Sequence, residues 1–268
     1  KAGIAEIIEV LWRLAETPSR LHGPIRIAFT PDEEIGRGPD RFDVKKFGAA
    51  FAYTIDGSGV GEVEDETFCA DSVEVTILGS DVHPGYAKGK LTNAIRVSSD
   101  FISALPRELM PENTSGREGF IHPIEINGNV SRMTAKFLLR DFSEKGLKVL
   151  KKSLESTAHE TELLHPNSHI EIDSVSSYRN MRQVIDDHPE LIDYAEEAIR
   201  RTGLTPKRTA VRGGTDGARL SFMGLPTPNL SNGSMNFHSK KEWIPQGGEI
   251  LYHILVRVEA KIYSTGGL

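Results

Sequence analysis

Two adjacent glutamates, Glu33 and Glu34, follow an apolar run carrying Ile25, Ile27 and Phe29. Neighbouring carboxylates repel, and holding them together at a strand end is costly unless a cation or a reacting proton offsets the charge. On extended backbone their side chains point to opposite sides, so one suits a metal while the other suits a water held there as base. That division of labour is the chemistry of metal-assisted hydrolysis. Asp56, at the end of the apolar stretch 51–55, adds a third carboxylate, and His238, in the polar loop 233–239, adds an imidazole. Glu34, Asp56 and His238 in combination suit a hard-to-borderline divalent ion such as zinc, cobalt or manganese. The corresponding mechanism uses two ions roughly 3.5–4 Å apart that activate one water.

Other positions could touch a substrate. His83, in Ser-Asp-Val-His-Pro-Gly, could donate a hydrogen bond to the oxyanion formed when water attacks a carbonyl. Arg182, in Tyr-Arg-Asn-Met-Arg, could clamp a substrate carboxylate with two parallel hydrogen bonds. The turn Gly213-Gly214-Thr215-Asp216-Gly217-Ala218 lacks the Lys-Ser/Thr of a phosphate loop and the G-x-G-x-x-G spacing of a dinucleotide site, which argues against nucleotide binding. Each residue alone also has an ordinary reading. An acidic pair can be a solvated loop, Asp56 and His83 turn residues, His238 a surface histidine and Arg182 a solvated base. The combination carries the case.

The bulk numbers exclude several classes. A net charge of −6 with scattered Lys and Arg argues against nucleic acid as partner. No stretch of the sequence approaches the roughly 18 apolar residues of a membrane span, and no secretory leader pattern is visible. The single cysteine, Cys69, permits neither an internal disulfide nor a thiolate-rich zinc site, and it points to a reducing compartment, the cytoplasm.

These residues must be positioned by elements whose periods are readable. Apolar residues at 4, 7, 8 and 11 predict an amphipathic helix over 4–16, already in stride at Lys1 with no capping residue before it. Strands are predicted at 25–30 and 50–55, with a short helix or turn at 41–48 between them. This alternation suggests an α/β layer with a largely parallel sheet. From Ser72 the pattern changes to strict alternation. The order is then a strand at 72–79, a helix at 91–105, strands near 120–127 and 132–140, a helix near 143–159 and a strand at 168–174, which is a split βαβ arrangement. The expected organisation is a catalytic domain from 1–71 and 177–268, interrupted by an α+β, ferredoxin-like domain at 72–176. Helices are predicted from Pro189 to about Arg201 and over about 246–262, with a strand at 204–212 between them.

The motifs Thr-Pro-Asp-Glu-Glu-Ile-Gly, Tyr-Thr-Ile-Asp-Gly, Val-His-Pro-Gly with Asn93-Ala94, Arg-Gly-Gly-Thr-Asp-Gly-Ala, Gly-Leu-Pro-Thr-Pro-Asn and Asn-Phe-His-Ser, in this order, resemble the peptidase T family of tripeptide aminopeptidases. That family lies within the dinuclear zinc peptidases and deacylases, with aminoacylase and carnosinase. The resemblance implies that Glu33 is the general base or acid. Glu34 and His238 would hold one zinc and Asp56 the other, with Co2+ or Mn2+ as possible substitutes. It implies that His83 stabilises the oxyanion across a homodimer interface formed by the inserted lid domain. Arg182 would bind the C-terminal carboxylate of the peptide, with Asn93 and Arg212 as further substrate-binding positions.

The family's His-x-Asp and Gly-Asp-Asp-Lys-Ala-Gly segments, upstream of this region, are not in the sequence. The resemblance therefore implies five metal ligands, of which this chain carries three, and an N-terminally truncated catalytic sheet. Weak metal binding, little activity of the chain alone and uncovered apolar surface are expected. A related deacylase or dipeptidase, and a non-catalytic dimerising fragment, are the alternative readings.

Overall fold

The structure, a computed structural model, describes residues 2–57, 59–236 and 239–243. In chain order it contains helix α1 (Ala2–Glu16), the short α2 (Val44–Phe47) and strands β1 (Thr54–Gly57), β2 (Glu62–Thr67) and β3 (Cys69–Leu78). Helix α3 (Ala94–Ala104), strands β4 (Phe120–Gly128) and β5 (Arg132–Asp141), helix α4 (Glu144–Leu164) and strand β6 (His169–Tyr178) follow. Helices α5 (Arg182–Ile185) and α6 (Pro189–Arg201), strand β7 (Lys207–Val211), helix α7 (Asp216–Phe222) and strand β8 (Asn229–Ser231) complete the order. Packing divides them into two units, one made of residues up to Thr67 with those from Asn180 onward, the other Phe68–Arg179. Among the described residues no helix is long and apolar enough to cross a membrane.

In the contiguous unit the alternation of Val73, Val75 and Ile77 on β3, and of Ala135, Phe137 and Leu139 on β5, turns one sheet face into a buried layer. The four strands pair antiparallel in the order β4-β5-β3-β6. The buried face packs against Val97 and Phe101 of α3 and Leu147, Leu150 and Leu154 of α4. Phe101 meets Phe137 edge to face, with ring centroids 6.0 Å apart. Helix α4 continues to Leu164, past the predicted end near 159. Buried Thr157 and Thr161 fill its inner face there, and their hydroxyls donate back to the carbonyls of Ser153 and Thr157. An apolar-stripe reading cannot see that continuation.

In the other unit the sheet is mixed, with order β1-β8-β2-β7. β1 runs parallel to β8 and β2 parallel to β7, while β2 and β8 are antiparallel. Ile192, Ala195, Ala198 and Ile199 form the inner stripe of α6, clustered with Val63, Met181, Ile185 and Leu230. The fold is α/β with a mixed sheet.

Several expectations are corrected here. Residues 25–30 make no strand: a strand exists only as a paired ladder, and no described strand pairs with them. Ile27 and Phe29 stay 38% and 58% exposed. The following strand starts at Thr54 rather than at 50. Helix α1 buries Gly3, Glu6, Val10 and Leu14, while Ile4, Ile8 and Leu11 of its apolar stripe remain exposed. Gly3 sets that choice, because its bare Cα lies against the backbone of Ile55, where a Cβ would collide. The helix expected over 246–262 lies outside the described residues.

Candidate active site

The glutamate pair sits in a 3₁₀ turn, Glu33–Ile35, bracketed by two left-handed residues. Asp32 precedes it at φ 63°, ψ 24°, and Gly36 follows at φ 69°. Left-handed backbone costs a non-glycine residue about 1–2 kcal/mol, less for Asp than for most. It persists where surrounding contacts over-determine it, as at functional turns. The Gly36 amide donates to Glu33 O at 2.7 Å and the Arg37 amide to Asp32 O at 3.0 Å, closing the turn.

Asp56 lies on β1 at a break in register: Ile55 pairs with Leu230 and Gly57 with Ser231, so Asp56 is the extra residue. A bulge of this kind re-aims a side chain at a strand end. The Asp56 amide donates to Asn229 Oδ1 at 3.2 Å, and the Asn229 amide group donates in turn to the buried carboxylate of Glu64. The β1–β8 pairing and its bulge thus set where Asp56 points.

Glu33, Glu34 and Asp56 line one cavity of about 780 Å³, together with Thr30, Thr215, Asp216 and Asn232. Apolar residues, among them Ile7, Val10, Phe29 and Phe51, also line it. Oxygen donors from several backbone segments facing one cavity match the donor chemistry of a divalent cation. Among the described residues, however, no group of three or more His, Cys, Asp or Glu side chains is arranged to hold a metal ion. His238 lies outside the described residues.

The remaining predicted positions have local partners. Arg182 Nη1 donates to Glu66 Oε2 at 2.8 Å, and its side chain is 41% exposed. Arg212 is half-buried just after β7, before the two glycines. In the contiguous unit, exposed His83 caps the 3₁₀ turn Pro84–Tyr86, and its Nδ1 accepts from the Gly85 amide at 3.1 Å. In the neutral ring this places the proton on Nε2, which can donate. Asn93 Oδ1 caps α3 by accepting from the Ile95 amide at 2.9 Å.

Sequence reasoning missed four residues around the carboxylates. Thr30 Oγ1 donates to Asp216 Oδ2 at 2.5 Å. Asp216 is buried in the first turn of α7, and burial raises its pKa against the opposing pull of Thr30 and Arg219. Arg219 reaches back to Gly36 O at 2.5 Å and to Asp40 at 2.7 Å. The Asp40 carboxyl is held below its usual range by hydrogen bonds from Arg37 first and Arg219 second. The motif containing Asp216 was visible; its partners, far away in sequence, were not.

The sequence profile of Peptidase family M20/M25/M40 matches residues 1–262. The chain belongs to this family. Proteins similar to it include a peptidase T of Clostridium perfringens strain 13, 46% identical over 244 residues. That match covers 91% of this chain and 60% of the relative. A peptidase T of Salmonella agona is 44% identical over 260 residues, covering 96% of this chain and 63% of the relative. The chain therefore spans about three-fifths of the length of these curated relatives. Among solved structures, a tripeptidase from Staphylococcus aureus superposes with a TM-score of 0.82 at 22% identity, covering 97% of this chain and 70% of that one. Aminopeptidase PepT from Bacillus cereus gives 0.77 at 24% identity, covering 96% and 70%. At these identities the structural matches establish the fold.

Proposed function

We propose that this chain is part of a metal-dependent aminopeptidase that removes the N-terminal residue from tripeptides, and that the carboxylate cavity is its catalytic centre. The observation that carries the reading is the meeting of Glu33, Glu34 and Asp56 in one cavity of about 780 Å³. These are the positions that the motifs shared with peptidase T single out. The name of the relatives at 44% and 46% identity supports the peptide substrate.

In this reading Glu34 and His238 hold one zinc and Asp56 the other; cobalt or manganese substitutes. Bound there, the metal pair supplies Lewis acidity and lowers the pKa of a water. Glu33 would take a proton from the attacking water and hand it to the leaving amine as the scissile carbon–nitrogen bond breaks. His83 offers its Nε2–H to the developing oxyanion, supplied from a second copy of the chain through the inserted unit, which acts as lid and dimerising domain. Arg182 holds the peptide's carboxylate end, with Asn93 and Arg212 completing the substrate contacts. The cytoplasm is the proposed compartment.

A panel of di-, tri- and tetrapeptides and N-acyl amino acids, assayed on the 268-residue chain at millimolar zinc or cobalt, tests this. Tripeptides should lead the panel, and Glu33→Gln should lower turnover about 10²–10⁴-fold. An N-acyl amino acid leading the panel would replace the aminopeptidase with a deacylase. An unchanged rate in Glu33→Gln would remove Glu33 from the chemistry.

A further inference from the structure

We infer that Asp216 and Arg219 of α7 are positioning residues that hold the Glu33–Glu34 turn in its working shape, one fastening its entry and the other its exit. At the entry, Thr30 Oγ1 donates to Asp216 Oδ2 at 2.5 Å, two residues before strained Asp32. At the exit, Arg219 binds Gly36 O at 2.5 Å and Asp40 at 2.7 Å, bridging the left-handed end of the turn and the segment after it. Asp216 and Arg219 are three positions apart on α7, so both project from one side of the helix. Between them the backbone is pressed close: Gly38 is buried, and a Cβ there would collide with the Asp216 carboxylate. Asp40 is braced a second time by Arg37 Nε at 3.0 Å.

The arrangement has a physical purpose. A turn flanked by a non-glycine left-handed residue relaxes unless both of its ends are tied. Two side chains of one short helix, capped where Thr215 Oγ1 accepts from the Ala218 amide, tie both. The glutamates are then presented in fixed directions before any ligand arrives, which lowers the cost of ordering them on binding. Neither residue need touch substrate. The mechanical part of this inference stands on geometry alone; its catalytic part rests on the proposed role of Glu33 and Glu34.

Amide hydrogen exchange on the metal-free chain, followed peptide by peptide, separates the two parts. Arg219→Met should speed exchange across residues 32–40 about tenfold or more, through loss of charge-assisted hydrogen bonds. Thr30→Val should speed it about fivefold. Exchange in β3 and β5 of the other unit should not change in either variant. Arg219→Lys, which keeps the charge but not the fork, should fall between wild type and Arg219→Met, and serves if Arg219→Met does not fold. Calorimetric zinc titration should show dissociation constants raised about tenfold in the same rank order. Unchanged exchange over 32–40, or equal acceleration in both units, would overturn the clamp. Locally faster exchange with unaltered zinc affinity would leave a structural brace and overturn the positioning role. A wild-type chain that bound no zinc would count against the proposed function, while the exchange result would still decide the clamp.

Discussion

Asp40 shows how a single carboxylate beyond the acidic pair takes part in holding the loop. Its pKa is lowered by hydrogen bonds from Arg37 and Arg219. The folded value therefore lies below the unfolded one. The stability it contributes is present above the ordinary carboxylate range and is lost as pH falls through the folded value. Asp40→Asn should accordingly narrow the difference between melting temperatures measured near pH 7 and pH 3. An identical difference in variant and wild type would mean that Asp40 contributes nothing to acid stability. The acidic pair itself was legible in the sequence because its members adjoin each other. Asp216 was legible only as part of a glycine-rich turn. Its bond to Thr30 spans 186 positions, and nothing in local composition announces a contact of that length.

Strand β2 is the element the sequence hid most completely. Glu62-Val63-Glu64-Asp65-Glu66-Thr67 has one apolar residue and low strand propensity, yet it runs between β8 and β7 with Glu64, Asp65 and Glu66 buried. Its acids are matched one by one: Glu62 with Lys207, Asp65 with Arg208, Glu66 with Arg182 and Asn180, Glu64 with Asn229. Pairing across the strand replaces the apolar pattern that marks ordinary buried strands, and a periodicity scan has no access to it. By contrast α6, expected from Pro189 to about Arg201, lies there, because Pro189 opens it and its apolar stripe is unbroken. The two basic partners on β7 separate a pair whose acid is buried from a more exposed one. Arg208→Met strands the Asp65 side chain, 4% exposed, and should cost about 2 kcal/mol, less than a fully buried pair because Arg208 is itself 45% exposed. Lys207→Met, at a lysine 69% exposed, should cost less than about 0.5 kcal/mol. Urea denaturation of both variants measures the contrast, and equal losses would refute it.

At the scale of the molecule, β3 and β5 of the contiguous unit were legible because apolar residues alternate along them, and α3 and α4 because each carries an apolar stripe. The other unit was less so, since its α1 buries Gly3 and Glu6 beside Val10 and Leu14 while Ile4, Ile8 and Leu11 stay exposed, and its acidic strand escapes hydropathy. The proposed dimer belongs to this scale. The contiguous unit presents two edge strands, β4 and β6, with Ile124 and Ile126 on β4 half-exposed. Such edges invite pairing with another chain unless they are covered or charged. Sedimentation equilibrium at micromolar concentration should give twice the mass of one chain. A single-chain mass would remove the second copy as the source of His83.

The parallel pairing of β1 with β8 has a consequence for how the polypeptide is made. Asp56 and its bonding partner Asn229 are 173 positions apart, so their ladder cannot close until nearly all of the described chain has left the ribosome. Residues 68–179 need nothing outside themselves for their own sheet. During synthesis they can settle first, while the N-terminal strands wait, unsatisfied, for partners still to be translated. The carboxylate cavity is thus among the last features to form, and a nascent chain stalled before β8 would have the contiguous unit complete but not the pairing that sets Asp56.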